Sequence, residues 1–180
     1  MAVTALEIKS RQPYADGVSF GDVGPCELVD AEVRFAVDPD HPANELITDL
    51  KLAPRDADGK VSFSADFRMV RPVDPQRRNR RVFLDVLNRG RQRALRYIQD
   101  APETLDAGLN PGGGFLTRQG YTLVWCGWQH DVPDGPGLLH IRVPGAVTSE
   151  GPVSGKIAIT FQPNAASPTR LLSDRGQRNN

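Results

Sequence analysis

The 180-residue chain carries no net charge: 22 lysines and arginines stand against 22 aspartates and glutamates. Nothing global therefore draws it to nucleic acid or to a membrane surface. It lacks any stretch approaching the roughly 20 apolar residues of a membrane-spanning helix. Its opening, Met1-Ala2-Val3-Thr4-Ala5-Leu6-Glu7, has no basic segment followed by an apolar core, so it does not read as a secretory signal. A soluble cytoplasmic protein is the expectation. Cysteine is scarce: Cys26 and Cys126 lie far apart inside apolar runs, which favours buried free thiols over a disulfide framework. There is no Cys-x-x-Cys, no His-Glu-x-x-His, no Walker loop and no Rossmann glycine pattern, and Cys126, His130 and Asp131 do not have a metal-ligand spacing. No cofactor is expected. Internal repeats and low-complexity segments are absent as well.

What is present is a strand-and-loop composition. Glycine and proline together supply 32 residues, 17 and 15 respectively, more than a helical bundle carries. Val29, Ala31, Val33, Phe35 and Val37 alternate with polar residues, as do Val61, Phe63, Ala65, Phe67 and Met69. Period-two alternation predicts strands with one buried and one wet face. Asp58-Gly59 predicts a turn before the second of them, and residues 42–50 leave room for a short helix. Two later alternating runs, 139–143 and 156–161, predict further half-exposed strands. Between these lie two nearly continuous apolar runs, 82–87 and 120–131. Runs of that kind belong to sheets covered on both faces. A helical segment near 91–99, with Ala94, Leu95 and Ile98 on its apolar side, separates them. One βαβ unit is predicted, its two strands parallel. Ligands gather at the ends of such strands, which makes the polar, aromatic tip Trp128, Gln129 and His130 a candidate pocket rim. The last residues, 166–180, are too polar to pack.

Several motifs have ordinary explanations. Gly17-Val18-Ser19-Phe20-Gly21 matches the Gly-x-Ser-x-Gly pattern of a hydrolase elbow, but turn residues flank it where a strand and a helix are required, so a loop serine is predicted. His140 falls on the polar side of its strand and His41 in a turn. Gly112-Gly113-Gly114 precedes a strand, the wrong order for a phosphate loop, and reads as a flexible connection. Arginines crowd residues 68–96, yet aromatic stacking residues are not interleaved with them, so a solvated face is favoured over a nucleic-acid patch. Asp85, mid-strand among apolar residues, needs a partner; Arg89 is the expected one, in a structural ion pair.

Taken together, Arg80-Arg81-Val82-Phe83-Leu84-Asp85-Val86-Leu87-Asn88-Arg89-Gly90, then Gly113-Gly114-Phe115-Leu116, then Gly120-Tyr121-Thr122-Leu123-Val124-Trp125-Cys126-Gly127-Trp128-Gln129 resemble the N-terminal part of a bacterial family of alpha/beta hydrolase domain proteins. The opening Pro13-Tyr14-Ala15-Asp16-Gly17, Phe20-Gly21-Asp22-Val23-Gly24-Pro25 and Glu27-Leu28 is similar too, and the likeness runs to about Pro163. The resemblance implies an α/β class: an incomplete alpha/beta-hydrolase-type sheet (76–165) preceded by an antiparallel β-rich region (1–75) and followed by the polar tail. It implies a serine esterase acting on a small-molecule ester. The loop after the third strand, here Asn88, Arg89 and Gly90, would supply part of the oxyanion hole, with elbow, acid and histidine following in that order. The chain ends before an elbow appears. It is therefore expected to be catalytically incomplete, with a complementing C-terminal chain as partner. The alternative is a non-catalytic β-rich binding or interaction domain.

Overall fold

In the computed structural model, residues 2–102, 109–156, 158, 160 and 162 are described. Three twelve-residue strands dominate: β1 (Ala2–Pro13), β2 (Cys26–Val37) and β3 (Val61–Pro72). They form an antiparallel meander. β2 and β3 pair without a register shift from Cys26 opposite Pro72 to Val37 opposite Val61. Opposed charges pair in register across the two strands, one pair on each face. Asp30 faces Arg68, with Oδ1 accepting from Nε at 2.5 Å, and Glu27 faces Arg71, accepting at 2.7 Å. Cross-strand pairs of this kind stabilise a sheet by about 0.2–1 kcal/mol each.

The sheet continues through β4 (Val82–Leu84), β5 (Thr122–Cys126) and β6 (Ile141–Arg142), in the order β1-β2-β3-β5-β4, with β6 also on β3. β5 runs antiparallel to the second half of β3, and β6 pairs with the first half. β4 lies parallel to β5, as the apolar runs predicted. Residues on both sides of position 75 thus share one sheet. β7 (Val147–Thr148) and β8 (Gly151–Pro152) make a separate small hairpin. The strand expected over 156–161 and the tail 166–180 fall largely or wholly outside the described residues.

The expected α/β class does not form. Among the described residues the two α-helices, α1 (Ala94–Gln99) and α2 (Phe115–Arg118), are six and four residues long, so this is a mostly β protein with a mixed six-stranded sheet. The physical reason lies in the 82–87 run. A sheet layered by helices on both sides would bury it completely. Here one side only is covered, and Val82, Leu84 and Val86 remain 64, 59 and 70 % exposed. Asp100 in the left-handed region (φ 54) stops α1 after less than two turns. The residues at 42–50 form short 3-10 turns in place of a helix.

The main core sits on the face of β2 and β3 opposite the one their alternation marks. Val29, Ala31 and Val33 are buried as predicted, but the largest cluster gathers Cys26, Leu28 and Val70 with Leu123 and Trp125 of β5, Leu95 of α1, Leu116 of α2, and Tyr14 and Phe20 from the β1–β2 connection. Buried Gln99 ties the helices together. Its Oε1 accepts from the N–H groups of Leu116 and Thr117, and its Nε2 donates to Pro111 O. Gly112-Gly113-Gly114 is correspondingly a fixed turn, not a flexible connection: a Cβ on Gly112 (φ +53) would lie 2.1 Å from Gln99 O.

Both cysteines are free. Burial pushes the Cys26 thiol up to about 11. Above pH ~8.5 an unfolded chain releases this proton while the folded chain still holds it. Stability from this group is intact below that pH and falls as pH rises toward 11. We expect wild type to lose about 2 kcal/mol more than Cys26→Ala between pH 8 and 10.5 at ~1.4 kcal/mol per pKa unit; parallel urea-stability profiles of the two proteins would contradict this.

Candidate functional site

The parallel strands β4 and β5 are aligned at their start by Asn79. Its backbone N–H donates to Gly120 O, its Nδ2 donates to Gln119 O, and its Oδ1 accepts from the N–H of Arg81. Gly120 is needed there, because a Cβ would approach Arg77 O to 2.6 Å. The strand ends therefore emerge side by side, and the two segments that carry the family resemblance meet at one rim.

Along that rim, Trp128 Nε1 donates to Leu87 O at 2.7 Å, and the N–H of Arg89 donates to Gln129 Oε1 at 2.7 Å. The Arg89 guanidinium bonds the Asp131 carboxylate through Nη1 and Asp131 O through Nη2. That guanidinium holds the Asp131 carboxyl below the usual carboxylate range. Arg89 (φ 53) and Gly90 (φ 78) turn the chain sharply, and Gly90 O accepts from the N–H of Leu139. A Cβ on Gly90 would press on Val132 Cγ1 at 2.7 Å and Leu139 O at 2.9 Å. Asn88, Arg89, Gly90, Trp128 and Gln129 are thus brought together. His130 is adjacent but exposed, and no side-chain hydrogen bond fixes it among the described residues.

Asp85 does not pair with Arg89. Its Oδ2 accepts from the N–H of Ala94 at 3.0 Å and from Trp125 Nε1 at 2.8 Å, so it joins the start of α1 to the core indole. Ser19 is exposed and bridges Pro25 through its backbone just before β2, in a turn as predicted. His41 accepts from the N–H of Ala43 and stabilises its own turn.

One charged cluster escaped the sequence reading. His140, expected in solvent, is largely buried, with Nδ1 3.3 Å from Asp66 Oδ2 and Nε2 3.7 Å from Asp134. Asp66 also accepts from Arg142 Nη1 at 2.7 Å and from the N–H of His140 at 3.0 Å. The only sequence signal was polar residues in two alternating strands, which gives no hint that they face each other across 74 positions. Gly127 lets β5 reach this region: a Cβ there would lie 2.2 Å from His140 O.

The rim offers backbone donors and a locked Arg–Asp pair. Because Gln129 already takes the Arg89 N–H, the backbone donors of that loop without a hydrogen bond among the described residues are the N–H groups of Asn88 and Gly90. No group of three or more His, Cys, Asp or Glu side chains suited to a metal occurs among the described residues, and no helix among them is long and apolar enough to cross a membrane. Compared with known proteins, the chain matches no family model, no curated protein and no solved structure.

Proposed function

We propose that the chain is the N-terminal part of a serine hydrolase of the esterase type, catalytically incomplete on its own. The observation that carries this reading is the convergence of Leu87, Arg89 and Gly90 with Trp128, Gln129 and Asp131: the segments bearing the resemblance, 40 residues apart in sequence, build one hydrogen-bonded rim at the ends of a parallel strand pair. In the class mechanism a serine attacks the ester carbonyl and backbone N–H groups stabilise the oxyanion. This chain would contribute the N–H groups of Asn88 and Gly90 and the pocket rim. A complementing C-terminal chain would bring the serine, acid and histidine.

The test is co-expression with the product of the reading frame directly downstream. A one-to-one complex whose second chain carries Gly-x-Ser-x-Gly after a strand supports the proposal. A downstream frame without that motif, together with a chain that purifies as a folded monomer, overturns it.

A second reading, a non-catalytic β-rich interaction domain, is favoured by one specific observation. β4 is the last strand of the sheet, and Val82, Leu84 and Val86 present apolar side chains to solvent beside its open edge. Apolar edges of this type invite pairing with another chain. Both readings predict that Leu84→Lys shifts the isolated protein toward monomer in sedimentation velocity. On the esterase reading the same variant also loses the downstream chain. An unchanged sedimentation profile would show that β4 is not the sticky surface.

A further inference from the structure

We propose that Asp134–Gly135 is a self-modification site, where the backbone rearranges to isoaspartate with His140 as the proton donor. Aspartate followed by glycine is the least hindered place for this chemistry, because glycine has no Cβ to shield the attacking nitrogen. The chain holds three such pairs: Asp16–Gly17, Asp58–Gly59 and Asp134–Gly135. The fold treats them differently. Gly59 donates its N–H to Asp56 O at 3.0 Å, and the N–H of Asp58 is held by Asp56 Oδ1, so that nucleophile is tied down. Asp16 (φ 55, ψ 25) is wound into a left-handed turn closed by the Val18 N–H on Ala15 O. In the cyclic imide the glycine nitrogen eclipses the side-chain carbon, which that ψ does not allow. Asp134 is under neither restraint. Its side chain is 99 % exposed, Gly135 is exposed, and no backbone hydrogen bond among the described residues takes the Gly135 N–H.

His140 supplies what an exposed pair of this kind otherwise lacks, a positioned acid. Its Nε2 lies 3.7 Å from Asp134 Oδ1, and the ring is largely buried, with Nδ1 3.3 Å from Asp66 Oδ2. A carboxylate behind one ring nitrogen orients the other toward the carboxyl that reacts. In the first step a bond forms between the Gly135 nitrogen and Asp134 Cγ, and one Cγ–O bond breaks. The departing oxygen takes one proton from protonated His140 Nε2 and one from the Gly135 nitrogen, and leaves as water. His140 regains its proton from solvent. In the second step water adds back to the imide. Cleavage at Cγ restores aspartate; cleavage at the backbone carbonyl carbon leaves a chain that runs through the side-chain carbon and is one atom longer. The consequence reaches the rim. Val132 and Leu139, the buried ends of this loop, both press on Gly90, whose O accepts from the N–H of Leu139, so an extra backbone atom between them disturbs the turn at Asn88–Gly90. The inference needs no serine chemistry and stands or falls separately from the esterase reading.

The experiment is to age the 180-residue chain in mildly acid buffer made with heavy-oxygen water and to map its peptides. Each passage through the imide leaves one solvent oxygen in the residue, and isoaspartate resists a protease that cuts at aspartate. Both marks should accumulate at Asp134 roughly tenfold faster than at Asp16 or Asp58, well short of the 10²–10⁴ that a positioned active-site acid contributes. His140→Gln should bring the Asp134 rate to within about twofold of the other two sites, whose own rates serve as internal controls and stay unchanged. A purely structural role for His140 predicts the opposite sign, because a loosened loop closes the ring faster. If His140→Gln does not fold, the wild-type chain aged in urea carries the same expectation: with His140 no longer placed beside Asp134, the three sites should converge. Marks at Asp134 no faster than at Asp16 and Asp58, a rate unchanged or raised in folded His140→Gln, or a rate at Asp134 that rises on unfolding would overturn the proposal.

Discussion

Truncating Trp125 to alanine is expected to remove about 3–5 kcal/mol of folding stability, the range for a large aromatic cut from a packed core. Trp125 is fully buried in the middle of β5, and its indole N–H is hydrogen-bonded to Asp85. The substitution opens a cavity between the sheet and the α1 layer. It also strips a donor from a carboxylate that is itself half-buried, and an under-satisfied buried acceptor costs a further ~1–3 kcal/mol. Against a typical total of about 5–15 kcal/mol, most of the margin is gone. Trp125→Phe separates the two effects: it retains most of the apolar volume, loses the N–H, and should cost about half as much or less. Urea unfolding followed by fluorescence and circular dichroism reads both. A loss below about 1 kcal/mol for Trp125→Ala would mean that β5 is not central to the core.

The second large effect concerns turnover. The purified chain should show no serine-dependent ester hydrolysis above background. With the downstream chain added, hydrolysis of a short-chain p-nitrophenyl ester should rise by a factor on the order of 10⁴–10⁶, the span lost when a triad is dismantled. A fluorophosphonate probe should then label the second chain and leave Ser19 untouched, because Ser19 lies in an exposed turn and hydrogen-bonds no histidine among the described residues. Robust turnover by the 180-residue chain alone, abolished by substituting one of its own serines, would place the chemistry elsewhere and sink the esterase-part reading.

How far the sequence anticipates this structure varies with the physical signal each element leaves. β2 and β3 announce themselves because one face of each is buried and the residues alternate. The parallel pairing of β4 with β5 was legible from two apolar runs separated by a helical segment. Their burial was not, because a continuous apolar run looks the same whether one side or two sides are covered, and Val82, Leu84 and Val86 turned out to be on the uncovered side. β1 was missed altogether: every residue from Ala2 to Pro13 is exposed, so no buried face imposed a period on it. At the rim, the strand-end position of Asn88–Gly90 and of Trp128 and Gln129 could be read from chain order, whereas the partner of Arg89 could not. Asp131 and Asp85 are equally near in type, and only the turn at Arg89 and Gly90 decides between them. The Asp66–His140 contact and the service of Gln99 to α2 are long-range and leave no local pattern.

The two margins of the sheet differ in a way that limits how it can grow. β1 carries register shifts between Val3 and Ala5 and between Ile8 and Ser10, and Glu7, Lys9 and Arg11 stud its length, so it resists a new strand. β4 at the far side has neither device. Along the strand order of the described residues, the sheet thus has a valence of one. Two copies joining through β4 would each turn β1, the guarded end of the strand order, outward, and growth along that order would stop at a twofold pair, whereas a sheet open at both ends of its order could add copies without limit and form fibres.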